Sequence, residues 1–271
     1  MCAIPAPAFV NDHRDPPLQL VVDDHLRLLK RCLKRKDDLM IVGPRGCGKT
    51  TLATRITEEL GYPTVVFHFG AILDVELALF GGMALRNGET LFIRGRFLDA
   101  ICTPNCVIIL DELNRAPTSV QSCMLSLMDF QHRIVVDQEA PERRIVERAP
   151  GVMFIATINL GAEYVGTEPL DAALLDRLKF IRLDYSKQEE QLLRSRGLPS
   201  REARKIVRMG HTIRKAYADG GIAETISTRG LVMVGDLIAD GFSLKQAFEA
   251  VVAIFDPDGL AALNAILRAK S

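Results

Sequence analysis

Five short segments of the chain are apolar almost without interruption: Leu39-Met40-Ile41-Val42, Thr64 to Phe69, Cys106 to Leu110, Gly151 to Thr157 and Phe180 to Leu183. Their length and their content of Val, Ile and Phe predict strands buried on both faces, since a half-solvated sheet would alternate apolar with polar. Val21 to Arg35 carries Leu26, Leu29 and Leu33 at helical spacing, with Asp23 and Asp24 near its start. Thr51 to Leu60 and Ser119 to Phe130 also read as helices. Continuous apolar strands that alternate with helices predict an α/β fold, a parallel five-stranded sheet with helices on both faces.

Two segments break the alternation. Gly88 to Ala100 reads as a hairpin, with Leu91-Phe92-Ile93 and Phe97-Leu98 flanking Arg94-Gly95. Arg133 to Arg148 reads as a second, with Ile134-Val135-Val136 and Ile145-Val146 around a charged turn at Gln138 to Glu142. Beyond Tyr185 strand signals stop, and Ser186 to Arg196, Ser200 to Ala218, Ser227 to Asp240 and Ser243 to Phe255 read as helices separated by Gly and Pro. The predicted organisation is an extended, proline-containing arm (1–20), an α/β domain (21–185) and a helical lid domain (186–271), with the boundary near Asp184 to Lys187. A chain of 271 residues suits one such core with a smaller satellite.

Composition narrows the picture only a little. Basic and acidic residues number 34 each, so no global field points to nucleic acid or to an acidic surface. The six cysteines (Cys2, Cys32, Cys47, Cys102, Cys106, Cys123) show neither paired nor zinc-like spacing and read as reduced residues of a cytoplasmic protein. The histidines, His13, His25, His68, His132 and His211, are dispersed and read as structural. No run approaches the roughly 18 apolar residues of a membrane helix, and residues 1–20 lack the apolar core of a signal peptide.

The chemistry is concentrated at strand ends. Gly43-Pro44-Arg45-Gly46-Cys47-Gly48-Lys49-Thr50 has the G-x-x-x-x-G-K-T spacing of a phosphate-binding loop, between an apolar strand and a helix opening at Thr51. Backbone N–H groups of such a loop, and the helix N-terminus behind it, wrap the phosphates of a nucleoside triphosphate. Lys49 is expected to reach the β/γ oxygens and Thr50 to ligate Mg²⁺. Cys47, inside the loop, reads as a passive filler.

Asp111-Glu112 follows the third strand, which suits Asp111 to the magnesium water shell and Glu112 to orienting or polarising the attacking water. Asn159 closes the fourth strand on the same sheet edge. Arg177, in Leu174-Leu175-Asp176-Arg177, is either a surface partner of Asp176 or a finger that reaches a neighbouring subunit's γ-phosphate. Arg229, in Ser227-Thr228-Arg229, is a second candidate phosphate sensor.

The order of phosphate loop, Asp111-Glu112-Leu113-Asn114-Arg115-Ala116-Pro117, Ala156-Thr157-Ile158-Asn159, Leu174-Leu175-Asp176-Arg177 and Ser227-Thr228-Arg229 resembles the AAA+ ATPases of the MoxR family. Tyr164-Val165-Gly166-Thr167 with Leu183-Asp184-Tyr185 is similar to its CbbQ/NorQ/GvpN branch. Departures are Ser186 after Asp184-Tyr185, where the branch commonly has Pro, and Leu178, where the family usually has Phe. The resemblance implies nucleotide and metal binding by Lys49, Thr50 and Asp111, and a catalytic role for Glu112. It makes Asn159 the first sensor, Arg177 the finger in trans and Arg229 the lid sensor. In the family's ring the first hairpin faces the central pore, which makes Phe92, Arg94 and Phe97 candidates for gripping a substrate.

The resemblance therefore implies a Mg²⁺- and ATP-dependent remodelling motor, a hexamer acting on a protein client, often through a von Willebrand factor A-domain partner. The alternative is a nucleic-acid translocase using Arg94, Arg96, Arg143 and Arg144 of the two hairpins. A GTPase is disfavoured because the guanine-reading Asn-Lys-x-Asp is absent.

Overall fold

The computed structural model describes residues 23–159, 169–252, 254 and 257–269. The N-terminal arm and Tyr164 to Thr167 lie outside them. In chain order the first half runs α1 (Asp23–Arg35), β1 (Leu39–Gly43), α2 (Lys49–Glu59), β2 (Thr64–His68), α3 (Val75–Phe80), β3 (Gly81–Arg86), β4 (Glu89–Arg94), α4 (Arg96–Ile101), β5 (Val107–Asp111) and α5 (Thr118–Met128). There follow β6 (Arg133–Val135), β7 (Ile145–Glu147), β8 (Met153–Asn159), α6 (Ala172–Asp176), β9 (Lys179–Arg182), α7 (Glu189–Ser195), α8 (Ser200–Ala218), α9 (Thr228–Ala239), α10 (Leu244–Val251) and α11 (Pro257–Ala269).

The five apolar segments form one parallel sheet in the order β2-β5-β8-β1-β9. Because side chains alternate across a strand, each strand feeds two cores. Leu39, Ile41, Val107, Ile109, Met153 and Ile155 pack with Leu29 and Leu33 of α1 and Leu52 and Ile56 of α2. Met40, Val42, Ile108, Leu110, Phe154 and Ala156 pack on the opposite face with Leu98, Ile101, Met124 and Leu127. Burial on both faces is why these strands carry no polar alternation. Each large side chain buried in these two layers contributes about 1.5–3 kcal/mol. The C-terminal helices close over a third core, around Phe248, Leu231, Ile206 and Leu263.

The first hairpin lies seven residues earlier than the sequence reading put it. β3 and β4 pair from Gly81↔Arg94 to Arg86↔Glu89, so the turn is Asn87-Gly88 and not Arg94-Gly95. Asn87 (φ 54°) and Gly88 (φ 83°) both take the positive φ that a type I′ turn requires. Gly95 serves a different purpose. A Cβ there would fall 2.2 Å from the Leu79 carbonyl oxygen, so glycine is needed where the hairpin's base crosses the chain. Phe97 and Leu98 belong to α4 and are fully buried. Phe97 packs edge-on against Phe67 and Phe80, with ring centroids 5.7 and 5.9 Å away, and is no surface grip.

The second hairpin, β6–β7, stands where the sequence predicts it, and its buried Ile134 and Val146 join the core. Arg94 links the two hairpins through a 2.5 Å ion pair with Glu139, a carboxylate only 6% exposed. α11 is a helix that the apolar pattern did not announce. Pro257 is its first residue, where a missing N–H costs nothing.

Candidate nucleotide site

The carboxyl ends of β1, β5 and β8 lie side by side, because β1 and β5 both pair with β8. Everything the sequence placed after those strands therefore meets at one edge. The turn from β1 into α2 uses Gly46 (φ 67°) and Gly48 (φ 93°), conformations that favour glycine. Lys49, 6% exposed, folds back over this loop and donates to the carbonyls of Gly43 (2.9 Å) and Pro44 (2.8 Å) and to Asn159 Oδ1 (2.7 Å). Burial pulls its ammonium pKa below the ordinary lysine value.

Asp111 closes β5 between two hydroxyls and an imidazole. The Thr50 hydroxyl donates to Oδ1, as does Thr157 at 2.7 Å, and His68 Nδ1 lies 2.9 Å from Oδ2. Burial alone would raise the carboxyl's pKa, but the hydrogen bonds from His68, Thr50 and Thr157 reverse it and leave it below the usual carboxylate range. Thr50 and Asp111 thus set two hard oxygen donors together, the chemistry a magnesium ion prefers.

Glu112 sits one residue further, at φ 58°, ψ 47°, a left-handed conformation that costs a non-glycine residue about 1–3 kcal/mol. Its amide donates to the Thr157 hydroxyl at 3.1 Å, which fixes the bend. Its carboxylate then receives Asn159 Nδ2 at 3.0 Å on one oxygen and Arg115 Nε at 2.7 Å on the other. Gly70 leaves room for this pair, since a Cβ there would fall 2.7 Å from Glu112 Oε2. Lys49, Asn159, Glu112 and Arg115 form one connected chain of polar contacts.

The start of α9 reaches the same loop. A Cβ on Gly46 would meet Ser227 Cβ at 2.6 Å and Arg229 Cβ at 3.9 Å. Arg229 itself is exposed beside the loop. Arg45 is exposed at the loop and Cys47 half-buried within it, with burial raising the Cys47 thiol's pKa, and Thr51 is half-buried on α2. Arg177 does not join the cluster. It donates to the Ala173 carbonyl at 2.6 Å and lies 3.5 Å from Asp129, not Asp176, at a half-buried position. Among the described residues, no cluster of His, Cys, Asp and Glu is arranged to hold a metal by itself.

His68, Thr157, Arg115, Gly70 and Ser227 are site residues that the sequence reading missed. His68 was read as merely structural, yet the β2–β5 register sets it directly opposite Asp111. The signal was available: both close adjacent strands of one parallel sheet.

Residues 38–178 match the family described as an AAA domain of the dynein-related subfamily, and residues 189–269 match the CbbQ/NirQ/NorQ C-terminal family. The chain belongs to the AAA+ ATPases. Within them it is of the MoxR type, near the CbbQ/NorQ branch, and it is an ATP-hydrolysing P-loop enzyme. This AAA+ ATPase is 33% identical to a candidate chaperone, BssE, of Thauera aromatica, over 83% of the chain and 77% of that protein. It is 27% identical to protein NorQ of Paracoccus denitrificans, over 89% and 88%. A mutant RuvB of Thermotoga maritima superposes with a TM-score of 0.56 at 14% identity, covering 94% of this chain and 72% of that one, and shares the fold. No helix among the described residues is long and apolar enough to cross a membrane.

Proposed function

We propose that this ATPase is a ring-forming, magnesium-dependent motor that remodels a protein partner. The observation that carries the hydrolytic part is the contact chain Lys49–Asn159–Glu112–Arg115 beside Thr50–Asp111. In this reading Thr50 and Asp111 hold the magnesium, which neutralises charge on the phosphates when bound. Lys49 leaves its loop carbonyls for the β/γ oxygens. Glu112 polarises the attacking water and takes its proton, while Asn159 orients the carboxylate and then the water. Arg229 senses the nucleotide from the first turn of α9, and residues 186–271 act as the lid. Arg177, away from its own subunit's cluster, serves the site of the next subunit.

A protein partner is favoured over nucleic acid on two grounds. In the insertions, Arg94 is already paired with the nearly buried Glu139 carboxylate, and Arg144 donates to the Glu139 carbonyl. The β3–β4 hairpin instead exposes Met83, Leu85, Leu91 and Ile93, which suits an apolar polypeptide. A hexameric ring, a von Willebrand factor A-domain adaptor and a cytoplasmic location belong to the same reading.

The test is affinity capture with Glu112→Gln, which should retain ATP, compared with Lys49→Ala. A discrete protein held only by the first variant supports the remodelling reading, whereas nuclease-sensitive DNA or RNA overturns it. Arg177→Ala should abolish turnover with nucleotide binding intact, and unchanged turnover would refute a shared site.

A further inference from the structure

The C-terminal helices contain a buried ion pair that the hydrolytic site does not use directly. Glu189, the first residue of α7, is 1% exposed and takes a two-pronged contact from Arg214 of α8, with Nη1 and Nη2 each at 2.8 Å. The Thr228 hydroxyl, in the first turn of α9, donates to the same carboxylate. Arg214 Nε donates to the Ile226 carbonyl at 2.8 Å, and the guanidinium lies 3.7 Å over the Tyr185 ring. One charged pair thus holds the segment leaving the sheet, two helices and both sides of Ser227.

Stability alone is a poor reason for this arrangement, because a buried ion pair contributes little more than well-packed apolar groups of the same volume. What it adds is direction. The planar guanidinium fork fixes Glu189, and Glu189 fixes the rotation of the first turn of α9 through Thr228. Ser227 then caps α9 through Gly230 N at 3.0 Å and fills the space beside Gly46, and Arg229 follows next to the phosphate loop. The connection is continuous from ion pair to loop.

We infer that Glu189, Arg214 and Thr228 are positioning residues that set Arg229 against the phosphate loop, so that nucleotide affinity depends on a buried pair outside the site. The inference rests on Arg229 acting as the nucleotide sensor. The same pair ties that sensor to Tyr185, so movement of the C-terminal helices and loss of the sensor contact become one event.

The experiment is a double-mutant cycle in the full chain, reading KM for ATP and kcat with a melting curve for each variant. Thr228→Val keeps the volume and removes the hydroxyl. It is expected to raise KM about tenfold, the equivalent of one hydrogen bond to a charged group. Thr228→Ser should restore it. In an Arg229→Ala background Thr228→Val should add nothing further. An additive effect would overturn the inference and leave the pair a purely structural element. A silent Arg229→Ala with a raised KM in Thr228→Val would instead refute the sensor role of Arg229, and the inference with it. If Thr228→Val melts early, Arg214→Lys gives the second reading, since it keeps the charge and loses the fork. A KM unchanged in both variants overturns the proposal.

Discussion

The carboxyl edge of the sheet and the β3–β4 hairpin use their residues in opposite ways. At the sheet edge the key polar groups have partners: both oxygens of Glu112, both oxygens of Asp111 and the Lys49 ammonium are engaged by named groups. The hairpin pairs its backbone over six residues a side and leaves large apolar side chains on both of its faces, Met83 and Leu85 on one, Leu91 and Ile93 on the other. A two-stranded hairpin is marginal on its own in water, and this one buries only Phe92 partly against the core. The contrast teaches where each region's free energy goes. The edge spends its polar groups on one another, whereas the hairpin leaves its large apolar side chains in water.

The largest effect should come from breaking the edge. Lys49→Ala removes the group that bridges the loop and Asn159, and nucleotide binding should be lost in a fluorescent-nucleotide titration. Glu112→Gln should bind ATP normally and turn over about 10²–10⁴ times more slowly, the usual contribution of a general base. Steady-state turnover within tenfold of the parent would remove Glu112 from that role.

A finer break leaves every charge in place. Gly70 has no left-handed φ, so alanine fits its backbone without strain, but its Cβ would lie 2.7 Å from Glu112 Oε2 and 3.5 Å from Arg115 Cδ. Gly70→Ala should displace the Glu112–Arg115 pair and lower kcat about tenfold at unchanged KM, the signature of a contact that matters in the transition state. Equal losses in binding and turnover would mean the loop had collapsed instead.

These two regions also differ in how far the sequence reveals them. Asp111, Glu112 and Asn159 were legible because each closes an apolar strand, and a parallel sheet brings such ends to one edge. Thr157 was not, since only the packing that sets its hydroxyl against Asp111 and the Glu112 amide gives it a role, and His68 gains its role only once β2 is placed beside β5. The hairpin was legible as a break in periodicity but not in its position. Arg94-Gly95 looked like a turn, whereas Asn87-Gly88 supplies the two positive φ values a tight hairpin needs. The Glu189–Arg214 pair had no sequence signal, because 25 residues separate partners that only helix packing unites. The last helix read from the pattern was Ser243 to Phe255, and α11, which opens at Pro257, went unassigned within the helical domain.

The Arg94–Glu139 pair tethers the β3–β4 hairpin to the second insertion. Arg94→Ala would leave a nearly buried carboxylate without its cation. The cost should be about 1–3 kcal/mol in urea unfolding, below the ~3–5 of a fully buried pair because Arg94 is 26% exposed. Basal turnover should change little, as no polar contact among the described residues joins this pair to Glu112. A turnover loss matching Gly70→Ala would show that the hairpin tether and the catalytic edge are mechanically one unit.

The smallest effect on the isolated enzyme is expected where the chain looks most exposed. Met83 and Leu91 keep about half of their surface in water, 57% and 45%, on opposite faces of the hairpin. Replacing both with serine removes little buried area, so stability should shift by no more than about 0.5 kcal/mol and basal turnover should stay within twofold. The same variant, placed on the Glu112→Gln background, should lose the protein that the ATP-bound trap retains. Retention of that protein by the serine variant would move the contact surface elsewhere. A large drop in melting temperature would show that these side chains stabilise the fold and are not held in reserve, and the comparison between the two regions would then fail.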